Sequence, residues 1–308
     1  MIDAMMEGFS GRSLSFLGIG HTIEHEHLTS EQAIVEAGLD WSVKLEPAWR
    51  KKKNGTVTKV EDRYFIVRQD NDTVLGSVGK AYRPLQNKDA FTFADLLVEN
   101  GKAEFIAAGA LKGGKQIFLV AKLGKTWTVL DGDKHEMYVV FRSGHDGGRA
   151  VQELITPVRL ACLNMMSIAT ARAHARVSVV HSTKMEVRLQ EANVTLGRVA
   201  DYVKEYGELA DRLGGIRLTD KRLRVVLDDL LPDRPQIEEV KNDIIEVRHQ
   251  SPALEAHRGD AWGALNAGTE YFEHGRRGHG REGRFVDVTE GYARRVRNQL
   301  AEALDAAA

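Results

Sequence analysis

The sequence predicts an α+β protein: an N-terminal antiparallel β-sheet with a packed central helix, followed by a C-terminal helical region. Three observations predict it. Up to about residue 180 the apolar residues alternate with period two, and hairpin turn signals separate the runs. From Thr183 onward the apolar residues recur at helical spacing. The two kinds of segment are segregated along the chain, which argues against an alternating βαβ fold. The organisation expected is an irregular segment over 1–28, a sheet domain over 29–182 and a helical region over 183–308.

The segment 1–28 is Gly-rich and contains HTIEHEH at 21–27. Thr29 with Gln32 has capping-box spacing for a short helix, SEQAIVEAG, which Gly38 stops. Trp41, Val43 and Leu45 alternate until Pro47. Asn54-Gly55 and Asp70-Asn71-Asp72 mark turns between three strands, with Tyr64, Ile66 and Arg68 pointing one way and Phe65 and Val67 the other. LGSVGKAYRPLQN at 75–87 is a strand, a Pro turn and a handover to a helix capped by Asn87 or Asp89. In that strand Lys80 and Tyr82 share a face and Arg83 points away. The helix DAFTFADLLVENG places Phe93, Leu96 and Leu97 together.

Gly113-Gly114 and Asp131-Gly132-Asp133 then mark two further hairpins. VQELITPVRL is a strand broken by Pro157, LACLNMMSIATARAHA is helical, and VSVVH from Val177 is a short strand or an extended link. In the helical region one long helix runs to Gly214-Gly215 with the stripe Leu189, Ala192, Leu196, Val199, Val203 and Tyr206. Thr219 caps the next helix, Pro235 opens another, Asp260 to His274 forms a fourth, HGRRGHGREGR is a loop, and VTEGYARRVRNQLAEALDAAA is one final helix.

Composition excludes several classes. Hydrophobic content of 43% with 28% charged residues is that of a folded globular chain. The single cysteine, Cys162, forms no intramolecular disulfide and fits a reducing cytoplasm. No apolar run approaches the ~18–20 residues of a membrane span, and no secretory signal is visible, so a cytoplasmic location is expected.

Several short stretches resemble a family of phage- and plasmid-encoded proteins known as a domain of unknown function, DUF932. They are EAGLDWSV at 36–43, LGSVGKAYRPLQNKDAFTFADLLV at 75–98, AAGALKGGKQIFLVAKL at 107–123, RLACLN at 159–164, VVHSTKMEVRLQEA at 179–192 and DAWGALNAGTEYFEH at 260–274. The resemblance implies a mobile-element setting, and it implies that Arg159, Cys162, Asn164 and His181 belong to a shared site or core. It implies no established activity. Ala161 and Ser182 depart mildly from the family's pattern.

No catalytic motif is complete. HTIEHEH lacks the H-E-x-x-H zinc arrangement, and GGKQ at 113–116 lacks the rest of a phosphate loop. Cys162 lies among Leu160, Ala161 and Leu163, the setting of a packed thiol, not a nucleophile. No cofactor and no metal is expected, and no chemical step.

Charge is more informative. Between Trp41 and Arg83 ten basic residues face five acidic ones, and from Arg142 to Arg188 seven face three. Over Glu191 to Glu255 fourteen acidic residues outnumber ten basic ones, so the β-rich part is basic and the helical part acidic. Basic strands interleaved with Trp49, Tyr64, Tyr82, Phe91 and Phe141 suit a single-strand nucleic-acid groove, in which cations track phosphates and aromatics stack on bases. The expected contacts are Lys51, Lys53, Arg63, Tyr64, Lys80, Tyr82, Arg83, Arg142, Arg159 and His181. The functional expectation is a single-stranded DNA-binding and annealing protein of recombination or replication, assembled as a homo-oligomer. The alternative is a factor that binds a host or phage protein through its helical region.

Overall fold

Turn chemistry and alternation carry the β-rich part as expected. In the computed structural model the described residues are 21–95, 98, 103–130, 132–147, 151–159, 164–165, 176–179, 199–275 and 280–306. Their strands are β1 (His21–Thr22), β2 (Val43–Lys51), β3 (Val57–Arg68), β4 (Val74–Gly79), β5 (Ala103–Leu111), β6 (Gln116–Val129), β7 (Asp133–Gly144), β8 (Val151–Arg159), β9 (Asn164–Met165) and β10 (Arg176–Val179). Their α-helices are α1 (Ser30–Glu36), α2 (Asn87–Ala90), α3 (Val199–Gly215), α4 (Asp220–Leu230), α5 (Pro235–Gln250), α6 (Ala261–Glu270), α7 (Arg281–Glu290) and α8 (Tyr292–Ala306). The architecture is α+β, with antiparallel strand pairs in the N-terminal part and helices in the C-terminal part.

The strands form a three-stranded sheet, β2-β3-β4, and a larger sheet in the order β1-β5-β6-β7-β8-β10 with β9 on β8. The chain divides into two compact units. One comprises 1–124, 140–153 and 178–193, and the other 125–139, 154–177 and 194–308.

In the first unit Thr29 and Gln32 form the reciprocal capping box, with Gln32 N donating to Thr29 Oγ1 at 3.3 Å and Thr29 N to Gln32 Oε1 at 2.8 Å. Gly38 takes φ +67° and ends α1. Gly55, Asp72 and Gly113 also adopt positive φ at the turns that the sequence marks. Strand β2 continues through Pro47, which is tolerated because β2 is an edge strand. The helix expected at 89–101 is interrupted: α2 covers four residues, a 3₁₀ turn follows at Thr92–Ala94, and the described Asp95 and Val98 are helical again. Asn87 does not cap it. Its N-cap is Gln86, and the Asn87 side chain turns inward.

In the second unit α3 buries Tyr202, Tyr206, Leu209, Ala210 and Leu213, so Val203 sits beside the apolar stripe and not in it. Thr219 caps α4, Pro235 opens α5 and Asp260 caps α6. Trp262 donates from Nε1 to Asp133 Oδ2 at 2.9 Å, and the His135 ring meets Tyr206 and Trp262 edge-on. Arg297 and Glu273 form a fully buried ion pair at 3.1 Å, and Arg297 also donates to Val288 O. Burial pulls the Arg297 guanidinium below its usual range, and Glu273 opposes that pull.

Four expectations are corrected. Pro157 does not break the strand over 151–159. Asn164–Met165 is extended where a helix was expected, the rest of that segment lying outside the described residues. Residues from Arg281 are helical, not loop. The final helix is two helices, because Gly291 is extended and Asp287 Oδ1 accepts from Tyr292 N and Ala293 N, which starts α8 afresh.

A Cβ at Gly263 would lie 1.8 Å from His257 O. Gly263→Ala must therefore displace backbone, and a loss of about 2–4 kcal/mol is expected in urea unfolding. Between α4 and α5, Lys241 Nζ lies 2.7 Å from Asp228 and 3.0 Å from Glu238, and hydrogen bonds from Lys241 hold both carboxyls below their usual range. Carboxyls lowered in the folded state stabilise it above their unfolded values, and that stability is lost as pH falls through the folded values. The urea midpoint should drop more steeply below about pH 4 in the wild type than in Lys241→Met, as read from parallel denaturation series.

Candidate functional site

Strands β2 and β3 make a hairpin in two parts. Val43–Pro47 pairs with Tyr64–Arg68 in the body of the small sheet. Trp49–Lys51 pairs with Val57–Lys59, after a register break between Pro47 and Trp49. The extra residues lie on β3, where Asp62 takes φ +55° and accepts from Lys80 Nζ at 3.1 Å. Such a bulge bends the strand that carries it. The turn is closed by Lys52 N on Thr56 O at 2.8 Å, Gly55 N on Lys52 O and Thr56 N on Asn54 Oδ1.

The distal part is a two-stranded ribbon. Trp49 pairs with Lys59 and Lys51 with Val57, so these four side chains share one face. Trp49 is 56% and Val57 58% exposed, large values for such residues. Arg50, Lys51, Lys52, Lys53 and Lys59 are exposed, and none forms an ion pair with a described residue. Lys44 differs: it lies 2.9 Å from Glu46, which raises its pKa.

Of the residues expected to meet nucleic acid, Lys51 and Lys53 lie on the ribbon and its turn. Arg63 is exposed at the ribbon's base, paired with Gly79. Tyr64 is half-buried on the face of Ile66 and Val78, opposite to Arg63. Strand β4 ends at Gly79, and Tyr82 N donates to Gly79 O at 3.2 Å, so Lys80 to Arg83 form a turn and the expected alternation does not apply. Tyr82 is half-buried, and burial with the nearby Asp146 charge pushes its phenol up. The Arg83 guanidinium donates to Lys80 O and Tyr82 O.

Arg142 is buried with NH2 on Gln116 Oε1 at 2.9 Å, so it is not on an exposed groove. Phe91 and Phe141 are buried with ring centroids 6.5 Å apart, so neither offers a face to a base. Arg159 ends β8 opposite Asn164. His181 and Cys162 lie outside the described residues. Among the described residues no group of His, Cys, Asp and Glu could hold a metal ion.

Trp49 is among the aromatics singled out in the sequence, and Arg50, Lys52 and Lys59 enter only the count of basic residues between Trp41 and Arg83. The signal was present in KKKNG: three lysines leading into an Asn-Gly turn whose Asn54 lies five residues after Trp49. It missed a buried joint that fixes the sheet behind the ribbon. Asn87 Nδ2 donates to Leu39 O at 2.8 Å and to Trp41 O at 3.1 Å. Its Oδ1 is therefore the acceptor of the 2.6 Å contact with His145 Nε2, and that nitrogen carries the proton. His145 meets the Trp41 ring edge-on, and the Arg68 guanidinium lies 4.2 Å over the same ring. Arg68 also holds Asp70 in a two-pronged pair, which keeps that carboxyl below its usual range. Gln86 brackets Val43 in the same manner, accepting from its N and donating to its O, both at 2.9 Å.

Fold and site together define an α+β protein with a basic β-ribbon and, among the described residues, no helix long and apolar enough to cross a membrane. The chain belongs to the family described as Domain of unknown function (DUF932), whose profile matches residues 74–307. The match begins at β4, so the ribbon and EAGLDWSV precede it. No curated protein and no solved structure matches the chain.

Asn87→Ala would leave two buried carbonyls and the His145 Nε2–H without their partner. The expected cost is about 3 kcal/mol, read as a lowered urea midpoint with an unchanged slope.

Proposed function

We propose that this protein binds single-stranded DNA through the β2–β3 ribbon and promotes annealing in recombination or replication, with no chemical step. One observation carries the reading: Trp49 stands exposed on the same face as Lys51 and Lys59, and neither lysine is neutralised by a described residue. An exposed indole offers a π-face that any base can stack on, and flanking cations hold the backbone whatever the sequence. Lys53 in the turn and Arg63 at the base extend the positive track. Tyr64 and Tyr82, half-buried, support this track and do not act as stacking platforms.

The test is fluorescence anisotropy of a labelled single-stranded oligonucleotide titrated with the full chain. With about four phosphates neutralised, log K should fall against log salt with a slope of roughly −3. Trp49→Ala should weaken binding by about 1–3 kcal/mol and leave that slope unchanged, because it removes stacking and not charge. Absence of binding at low salt by folded protein would overturn the reading.

A further inference from the structure

The ribbon has two open faces. Every residue from Trp49 to Val57 is exposed, and so is Lys59, while Thr58 on the Arg50 face is half-buried, so both faces are open over most of this segment. A hairpin that only served the core would bury one face, as Ile66 and Val78 are buried on one face in the body of the same sheet. The faces also differ in chemistry. One carries Trp49 and Val57 with Lys51 and Lys59. The other carries Arg50 opposite Thr58 and continues with Lys52 opposite Thr56 into the turn. It has cations and hydroxyls and no aromatic side chain, and its apolar residue, Val60, is half-buried at the base.

Resting on the proposed DNA binding, we infer that the ribbon holds two DNA strands at once, one on each face, and that the occupant is the pair of strands being annealed. The Trp49 face takes the first strand, since stacking adds to charge there. The Arg50 face takes the backbone of the second strand. It has nothing for a base to stack on, so the bases of that strand stay free to pair. The bulge at Asp62 lies at the base of the ribbon, where Asp62 accepts from Lys80.

The test compares two double variants of the full chain, Lys51→Glu/Lys59→Glu and Arg50→Glu/Lys52→Glu. They change the net charge by the same amount, and all four side chains are exposed. Thermal melts followed by circular dichroism verify that each remains folded. Single-strand affinity is read by anisotropy, and annealing by energy transfer between labelled complementary oligonucleotides. The Lys51/Lys59 variant should lose about tenfold or more in single-strand affinity. The Arg50/Lys52 variant should lose clearly less single-strand affinity than the Lys51/Lys59 variant and lose about tenfold in annealing rate. Equal losses of affinity in the two variants would show one strand wrapping both faces and overturn the inference. So would an Arg50/Lys52 variant that anneals like the wild type. Wild-type protein that binds no oligonucleotide overturns the DNA reading itself, an outcome visible before any variant is made.

Discussion

The buried carboxamide of Asn87 is the joint on which the small sheet depends. It ties the segment after β4 to the segment before β2, by two donated bonds to backbone and one accepted from His145. Because Leu39 and Trp41 are fixed there, Trp41 can present one ring to His145 and Arg68 together. Gly76 on β4 lies against the Asp146 backbone, where an added Cβ would approach within 2.6 Å, so the same corner is pinned from the other side. The ribbon projects from a sheet made rigid in this way. A charged arm gains by such anchoring, since less ordering remains to be done when a ligand arrives.

The hairpins were legible because their turns carry their own chemistry. Asn54-Gly55 and Gly113-Gly114 specify positive φ in the sequence itself, and the capping box at Thr29 needs only residues three apart. The joint was not legible, because Asn87 looks like a helix cap until the partners 46 and 58 positions away are known. Arg142 misled for the same reason. A cation belongs at the surface unless a distant acceptor receives it, and Gln116 does so from 26 residues away. The break at Gly291 was hidden because one glycine within a helical pattern is tolerated, and only the capping by Asp287 turns it into a boundary. In the site, alternation correctly placed Tyr64 and Ile66 on one face and Phe65 on the other. Nothing in the letters announced the bulge after Pro47 that sets Trp49 and Lys59 side by side.

The second unit is specified by buried polarity of another kind. Asp133 receives the Trp262 indole, and Arg297 meets Glu273 where neither reaches water. A buried ion pair adds little net stability, since desolvation consumes most of the attraction, yet breaking one side of it costs several kcal/mol. A helix rotated or shifted by one turn would strand a charge inside.

The lysines of the ribbon also bear on the solubility of the chain. Strand β2 is a sheet edge, and an exposed edge invites other chains to pair with it. Pro47 withholds one backbone donor from that edge, and Arg50, Lys51, Lys52 and Lys53 repel the like-charged edge of a second copy. With Trp49 and Val57 exposed beside them, a ribbon stripped of its charge would be a sticky, β-prone segment. A drifted sequence that lost these lysines would forfeit colloidal stability, and aggregation would be the first symptom of the loss.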